Sequence, residues 1–262
     1  CSAARSSVRS AITSPLTPML MAFHGTPAAA WQKNDLGYYF NTSGRAMPAA
    51  VLKGMDVSKF QGEIDWEKAK AAGIDFAIIR CGFGGEWDGQ EENWAQDDPQ
   101  WRRNADECTR LGIPVGGYYY SCAVTAPQRD AELALLHDAL RGKRLQLPVA
   151  IDVEDARLRA LTPDALSALV AGAARQLEHW GLYAMVYTYT HFADTALHMD
   201  TLASFDLWLA DYRGKRPARR HGMWQYTSRG RVPGISGPVD LSRTEKDYPA
   251  LLHRAGLDRT IL

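Results

Sequence analysis

Short apolar runs alternate with helical stretches from Gly54 almost to the end of the chain. Several of these runs are apolar on both faces, which is typical of strands covered on both sides in a parallel sheet. The predicted strands are residues 54–57, 76–82, 114–122, 148–153, 183–190, 206–212, 223–226 and 239–241.

Helix-like segments separate the earlier strands. They are predicted at residues 66–72, 99–111, 127–140 and 162–180. The last begins with Thr162-Pro163-Asp164, a cap followed by proline and an acidic first turn. After Tyr212 the connections become too short for full helices. The pattern therefore predicts an α/β fold, an irregular (β/α) TIM-like barrel of about five βα units followed by three strands.

The composition changes near residue 50. Residues 1–50 are rich in Ser, Thr, Ala and Pro with little periodicity, which indicates a lead or linker. Within it, residues 31–47 combine an aromatic cluster with Asn-Thr-Ser-Gly and predict a short hairpin. The segment resembles one degenerate unit of the aromatic cell-wall-binding repeats, and a packing hairpin is the alternative, since such arrays need about three units. Residues 51–262 form the predicted catalytic barrel.

Charge and cysteine content narrow the function classes. The chain has 30 basic and 30 acidic residues, so it lacks the basic excess of a nucleic-acid-binding protein. No apolar run reaches the roughly 18–20 residues of a membrane span. The four cysteines show no metal spacing. Cys81 and Cys122 are predicted to be buried, and disulfides from Cys81 to Cys122 or to Cys108 are left open.

Acids and aromatic residues gather at the ends of the predicted strands. In such barrels the active site lies at the carboxyl ends of the strands. No His/Cys cluster joins them, so neither a metal nor a cofactor is expected. The strand-end residues are Asp56, Arg80, Tyr118, Tyr120, Asp152, Glu154, Tyr187, Tyr189, Trp208, Asp211, Tyr212, Trp224, Gln225, Tyr226 and Asp240.

The strongest candidate pair is Asp152 and Glu154, which lie two apart and therefore point to one face of a strand. Two acids after a buried apolar strand repel each other and destabilise the fold unless the site uses them. Pairing with Arg80 or capping of the next helix is the structural alternative, and Asp155 suits the cap better. Paired carboxyl groups with aromatic faces around them are what glycoside cleavage requires.

The ordered motifs resemble one family closely. They are Gly54-Met55-Asp56-Val57-Ser58, Phe76-Ala77-Ile78-Ile79-Arg80, Gly116-Gly117-Tyr118-Tyr119-Tyr120, Ile151-Asp152-Val153-Glu154, Leu207-Trp208-Leu209-Ala210-Asp211-Tyr212, Trp224-Gln225-Tyr226 and Val239-Asp240. In this order, over roughly residues 54–250, they are similar to the Chalaropsis-type lysozymes of glycoside hydrolase family 25.

That resemblance implies a flattened, irregular barrel that hydrolyses the β-1,4 bond between N-acetylmuramic acid and N-acetylglucosamine of peptidoglycan. It implies Glu154 as general acid/base, Asp152 as the charge-stabilising partner, and Asp56 and Asp240 as further acids. The implied enzyme is a monomer, secreted or associated with the cell wall, and a phage endolysin origin is left open. The expected substrate-binding residues are Arg80, Tyr118, Tyr120, Tyr187, Trp208, Tyr212, Trp224 and Gln225.

Several points stay open at this stage. The family often has Val-Asp-x-Asn where this chain has Val239-Asp240-Leu241-Ser242, so a rearranged turn is expected there. Asp211 alternates with Ala210 and Tyr212 and is left out of the catalytic set. The resemblance favours retention with help from the substrate acetamido group, which strand spacing alone does not decide. An inactive wall-binding barrel, and activity on chitin or another N-acetylated glycan, are the alternatives.

Overall fold

The computed structural model describes residues 52–85 and 94–262, together with the backbone of two short strands near the amino terminus. The chain divides into two compact units, Cys1–Met47 and Pro48–Leu262. In the first, strands Trp31–Lys33 and Tyr39–Asn41 pair antiparallel inside the predicted hairpin segment. The rest of the predicted lead lies outside the described residues, and a wall-binding role stays a prediction.

The second unit is a closed barrel whose described part contains eight principal strands. The strands are β1 Lys53–Val57, β2 Phe76–Gly84, β3 Val115–Tyr120, β4 Val149–Asp152, β5 Ala184–Tyr189, β6 Asp206–Ala210, β7 Met223–Gly230 and β8 Val239–Thr244. Each overlaps a predicted strand, so the predicted TIM-like α/β fold is confirmed. A short strand, Ala95–Asp97, pairs antiparallel with the end of β2.

The helices follow the predicted βα order. They are α1 Trp66–Ala71, α2 Trp101–Leu111, α3 Ala126–Leu140, α4 Pro163–His179, α5 Thr190–Thr195 and α6 Tyr248–Ala255. Thr162 caps α4 by accepting from the Ala165 amide. Among the described residues, none of the helices is both long and apolar enough to cross a membrane.

The last strand runs against the others. Strands β1 to β7 pair parallel with their neighbours, whereas β8 pairs antiparallel with both β7 and β1 and closes the barrel. The β7–β8 connection, residues 231–238, is too short for the crossover that a parallel strand needs. The first residues of β8, not its last, therefore lie at the carboxyl ends of the other strands.

Alternation along the strands separates the barrel interior from the helix-facing core. Large apolar side chains, among them Phe76, Ile78, Met185 and Met223, fill the lower interior, which is the half of the barrel nearer the amino-terminal ends of the parallel strands. A Cβ at Gly116 would lie 2.6 Å from the Pro148 backbone carbonyl oxygen, so glycine lets β3 lie this close to the neighbouring backbone. With the lower interior filled, the open space lies at the carboxyl ends of the strands.

Cys81, Cys108 and Cys122 are all buried and unpaired. Burial of Cys81 and Cys122 is confirmed, and neither of the two disulfides left open by the sequence is formed. These cysteines act as small core side chains.

Candidate active site

The four predicted acids meet at one end of the barrel. Asp152 is the last residue of β4, and Glu154 follows it by two positions. Asp56 lies on β1, and Asp240 is its direct partner across the β1–β8 pairing. The antiparallel direction of β8 is what brings Asp240, near the start of its strand, to the same rim.

A cavity of about 270 Å³ opens between these acids. It contains the four acids and seven of the eight predicted substrate-binding residues. Its lining, within the described part of the chain, is Asp56, Val57, Ser58, Phe60, Gln61, Arg80, Tyr118, Tyr120, Asp152, Glu154, Tyr187, Trp208, Tyr212, Gln225 and Asp240.

Trp224 is the predicted residue that the structure does not bring to this cavity. Its neighbour Gln225 points into the barrel, so Trp224 points out. The Trp224 indole Nε1 donates to the Asp211 backbone carbonyl at 2.8 Å, and its ring lies 4.8 Å from the Arg243 guanidinium carbon. Trp224 therefore supports the loop after β6 from behind.

Gln225 links one of the four predicted acids to two tyrosines. Its Nε2 donates to both carboxylate oxygens of Asp56, each at 2.9 Å. Its Oε1 accepts from the hydroxyls of Tyr187 at 2.9 Å and Tyr212 at 2.5 Å. The amide thus orients Asp56 and joins β1, β5 and the loop after β6 in one network.

The acids perturb one another because they are buried together. Burial, with the nearby charges of Asp240 and Asp155, raises the pKa of Glu154 to about 7. Burial and acidic neighbours hold the pKa values of Asp152 and Asp56 well above their ordinary range. Burial also raises the pKa of Asp240. A site of this kind retains protons near neutral pH, as a general acid must.

Two other acids near the rim, Asp155 and Asp211, are paired with arginine side chains. Asp155 caps the 3₁₀ turn Ala156–Ala160 by accepting from the Arg157 amide at 2.9 Å, as predicted. Hydrogen bonds from Arg157 are the main reason that the pKa of Asp155 falls to about 2. Asp211 binds the Arg213 guanidinium and the Thr190 hydroxyl, which agrees with its exclusion from the catalytic set.

The Val239-Asp240-Leu241-Ser242 segment lies within β8. It pairs with β1 without a register shift, with Ser242 opposite Gly54, whereas its pairing with β7 shifts register on both sides of Thr227. The buried Ser242 hydroxyl accepts from the Trp208 indole Nε1 at 3.1 Å. A serine at this position thus anchors the tryptophan that forms part of the cavity wall.

Sequence reasoning missed two features of the site. Phe60, 71% exposed, lies in the 3₁₀ turn Lys59–Gln61 and lines the cavity. A second cavity of about 430 Å³ shares Glu154, Tyr187 and Tyr212 with the first and continues over α5. The sequence signal for Phe60 is an aromatic residue two positions after the Asp56-Val57-Ser58 strand end. No local sequence pattern marks the second cavity.

Residues 55–235 match the family model described as glycosyl hydrolases family 25. The chain belongs to this family.

Named relatives agree with the family assignment. An autolytic lysozyme of Clostridium acetobutylicum is 29% identical over 192 residues, which cover 72% of this chain and 55% of that protein. Lysozyme M1 of Streptomyces globisporus is 25% identical over 223 residues, 77% of this chain and 70% of the relative. The chain thus spans little more than half the length of the clostridial protein.

Solved structures share the family 25 fold. The modular autolysin LytC from Streptococcus pneumoniae has a TM-score of 0.64 and 26% identity, covering 82% of this chain and 52% of LytC. The bacterial lysozyme from Streptomyces coelicolor has a TM-score of 0.67 at 23% identity, covering 79% of this chain and 98% of that one. The second similarity extends over nearly the whole of a lysozyme chain.

Proposed function

We propose that this family 25 chain is an N-acetylmuramidase, which hydrolyses the β-1,4 bond between N-acetylmuramic acid and N-acetylglucosamine in peptidoglycan. The observation that carries the proposal is the group of four acids, two buried and two half-buried, in a cavity walled by Tyr and Trp side chains. Family membership and relatives named as lysozymes support the choice of substrate.

Glu154 is the proposed general acid. Because its pKa is raised to about 7, it carries a proton that it can donate to the leaving glycosidic oxygen near neutral pH. The resulting carboxylate then accepts a proton from the attacking water. Asp152, on the same face of the same chain segment, opposes the positive charge that develops on the sugar ring.

We further propose that the reaction proceeds with retention, assisted by the substrate acetamido group. The Asp152 Oδ1 atom has no hydrogen-bond partner among the described residues. An acetamido N–H would satisfy this oxygen and be oriented by it. Hydrolysis of a soluble glycan followed by NMR tests this, since retention gives the β-anomer first and inversion gives the α-anomer first.

Reducing-end analysis tests the bond assignment. Purified peptidoglycan is digested with the chain and, in parallel, with Glu154→Gln, then reduced with borohydride. New muramitol from the unsubstituted chain alone supports the proposal, whereas new glucosaminitol contradicts the bond specificity. Wall binding by both proteins without release of any end would identify a non-hydrolytic wall-binding barrel.

The proposed enzyme works as a monomer on glycan strands outside the cytoplasm or at the wall. The cavity draws its lining from one barrel and contains the whole proposed acid set, which supports a monomer. Light scattering in solution tests the monomer, and fractionation of producing cells tests the location.

A further inference from the structure

The catalytic cavity places one cation among four acids. Within the described lining, Arg80 at the end of β2 is the basic side chain, and it is only 7% exposed. Carboxyl groups buried together disfavour ionisation in one another, and a fixed cation counteracts that effect. The position of Arg80 therefore bears on which acid can carry a negative charge.

Asp98 holds Arg80 in place from one side. The Arg80 Nε donates to Asp98 Oδ2 at 2.7 Å, and the Asp98 side chain is fully buried. The same carboxylate accepts from the backbone amides of Lys59 at 3.0 Å and Gln100 at 2.9 Å. Asp98 thus ties the guanidinium to the turn after β1 and to the start of α2.

Two aromatic rings pack against the guanidinium. The Arg80 Cζ lies 5.1 Å from the centroid of the Phe60 ring and 5.0 Å from that of Phe83. Contacts of this kind combine packing with cation–π attraction. With Asp98 at Nε and two rings packed against the guanidinium, Arg80 has little freedom to turn away from the cavity.

The Arg80 Nη2 nitrogen is unpaired, and the Asp152 carboxyl group in the same cavity is a candidate partner for it. Neither Arg80 Nη2 nor Asp152 Oδ1 has a hydrogen-bond partner among the described residues, although both are buried and both side chains line one cavity. Burial and the charges of Glu154, Asp56 and Asp155 raise the pKa of Asp152, and Arg80 opposes them. Tyr118, Tyr120 and Tyr187 line the same cavity and interact electrostatically with Asp152.

We propose that Arg80 is a positioning residue that lets Asp152 ionise, and that Asp98 fixes Arg80 for this purpose. The kinetic part of the inference rests on the proposed function, because it requires Asp152 to act as a carboxylate. The electrostatic part stands on the geometry alone and can be measured without turnover.

The test compares variants that keep or remove the cation. Arg80→Lys keeps it. Arg80→Met removes it but leaves Asp98 buried without its partner, so the double variant Arg80→Met/Asp98→Asn removes both charges and protects the fold. Arg144→Met, which breaks an exposed pair with Asp258, is the control. Thermal unfolding and near-ultraviolet circular dichroism establish that each variant is folded.

Carbon-13 NMR of labelled aspartate carboxyl groups gives the direct readout, with Asp152 assigned from the signal missing in Asp152→Asn. The pKa of Asp152 should rise by about one pH unit or more in Arg80→Met, because an attraction that favours the carboxylate is lost. It should rise by less in the double variant, which also removes the Asp98 charge that disfavours ionisation of Asp152. Arg80→Lys and Arg144→Met should keep the original value. An Asp152 titration unchanged in both folded Arg80→Met proteins would overturn the inference.

The pH dependence of kcat/KM gives the second readout. Its acid limb should move to higher pH in the double variant and return towards the original position in Arg80→Lys. A uniform loss of activity with an unmoved acid limb would assign Arg80 a structural role instead. If no variant and no unsubstituted chain cleaves peptidoglycan, the proposed function fails, while the NMR result still decides the electrostatic inference.

Discussion

Two clusters of carboxyl and tyrosine side chains lie at opposite ends of the barrel, and they differ in how their charges are compensated. One surrounds Asp152 at the carboxyl ends of the strands. The other surrounds Asp206, at the start of β6, beside a cavity of about 470 Å³ lined also by Tyr183 and Lys246. Both clusters place carboxyl groups among tyrosine hydroxyls, so residue types alone do not separate them.

Both carboxylate oxygens of Asp206 have hydrogen-bond donors. The Asp206 Oδ2 atom accepts from the Tyr183 hydroxyl at 3.0 Å, the Tyr248 hydroxyl at 2.7 Å and the Lys246 ammonium at 2.5 Å. Its Oδ1 accepts from the Leu207 amide at 3.1 Å. A carboxylate with a cation and donors on both oxygens holds strands and α6 together.

The Asp152 cluster has fewer partners for its carboxyl groups. Its four acids line a cavity with one arginine, which already pairs with Asp98, and Asp152 Oδ1 has no partner within the described residues. Buried polar groups without partners destabilise a fold and persist where they serve a function. The larger of these two cavities thus lies beside the structural cluster, so charge imbalance locates the chemistry where cavity volume does not.

Asp152→Asn should give the largest effect and separates the two clusters most sharply. We expect kcat/KM to fall about 10²–10³-fold, because the charge that opposes the developing cation is lost. The free energy of unfolding should stay the same or increase, since one of four repelling carboxyl groups becomes neutral. Hydrolysis of soluble peptidoglycan fragments and urea unfolding measure the two quantities. Near-normal turnover would remove Asp152 from the proposed mechanism.

Asp206→Asn should show the opposite pattern. The substitution removes the counter-ion of Lys246 and leaves one amide oxygen for donors that now share two carboxylate oxygens, so the free energy of unfolding should fall by about 1–3 kcal/mol. The kcat/KM of the folded fraction should be unchanged. Asp164→Asn, at an exposed site, is the matched control and should change stability little. A catalytic defect in folded Asp206→Asn would break the division between the two ends.

The strand positions and most of the cavity lining were predictable from the sequence, because a period of two sorts side chains between the two faces of a strand. Ile78 and Arg80, or Tyr118 and Tyr120, therefore share a face wherever their strand lies. The same rule excludes Trp224 once Gln225 is placed inside, so including both in the predicted site was inconsistent with one strand. Gln225 makes the contacts to Asp56.

Other features depend on contacts that local patterns do not contain. The antiparallel direction of β8 follows from the length of the β7–β8 connection and from closure against β1. The Arg80–Asp98 pair joins residues 18 positions apart, across the turn into the short strand and α2. Phe60 looks like an ordinary exposed aromatic until its ring is seen to pack on Arg80. Tertiary placement, not residue type, gives these residues their roles.

The alkaline limb of the kcat/KM pH profile should come from Glu154, at the Asp152 end of the barrel. Burial raises the pKa of Glu154 to about 7, and the general acid works only while protonated. The kcat/KM should therefore fall as pH rises through about 7, approaching about tenfold per pH unit. Asp240→Asn removes a charge that raises this pKa, so its alkaline limb should move to lower pH. A profile that stays flat to strongly alkaline pH would contradict the role of Glu154.

Deletion of residues 1–50 should have the smallest effect, and it tests whether both clusters depend on the barrel residues alone. The barrel closes through pairing of β1 with β8, and all of the strand pairs described for it lie between Lys53 and Thr244. We therefore expect unchanged kcat/KM on soluble fragments and an unchanged urea midpoint. Retention on whole cell walls should be unchanged or reduced, which sedimentation with purified walls measures.

The control for this deletion is Asp206→Asn in the same shortened chain. If the lead is independent of the barrel, the two changes should be additive in the free energy of unfolding. A shortened chain that fails to fold, or one in which Asp206→Asn has a different effect on unfolding, would show that the lead packs into the structural end of the barrel. Unaltered catalysis with weaker wall retention would instead assign the lead to substrate capture and leave both clusters to residues 51–262.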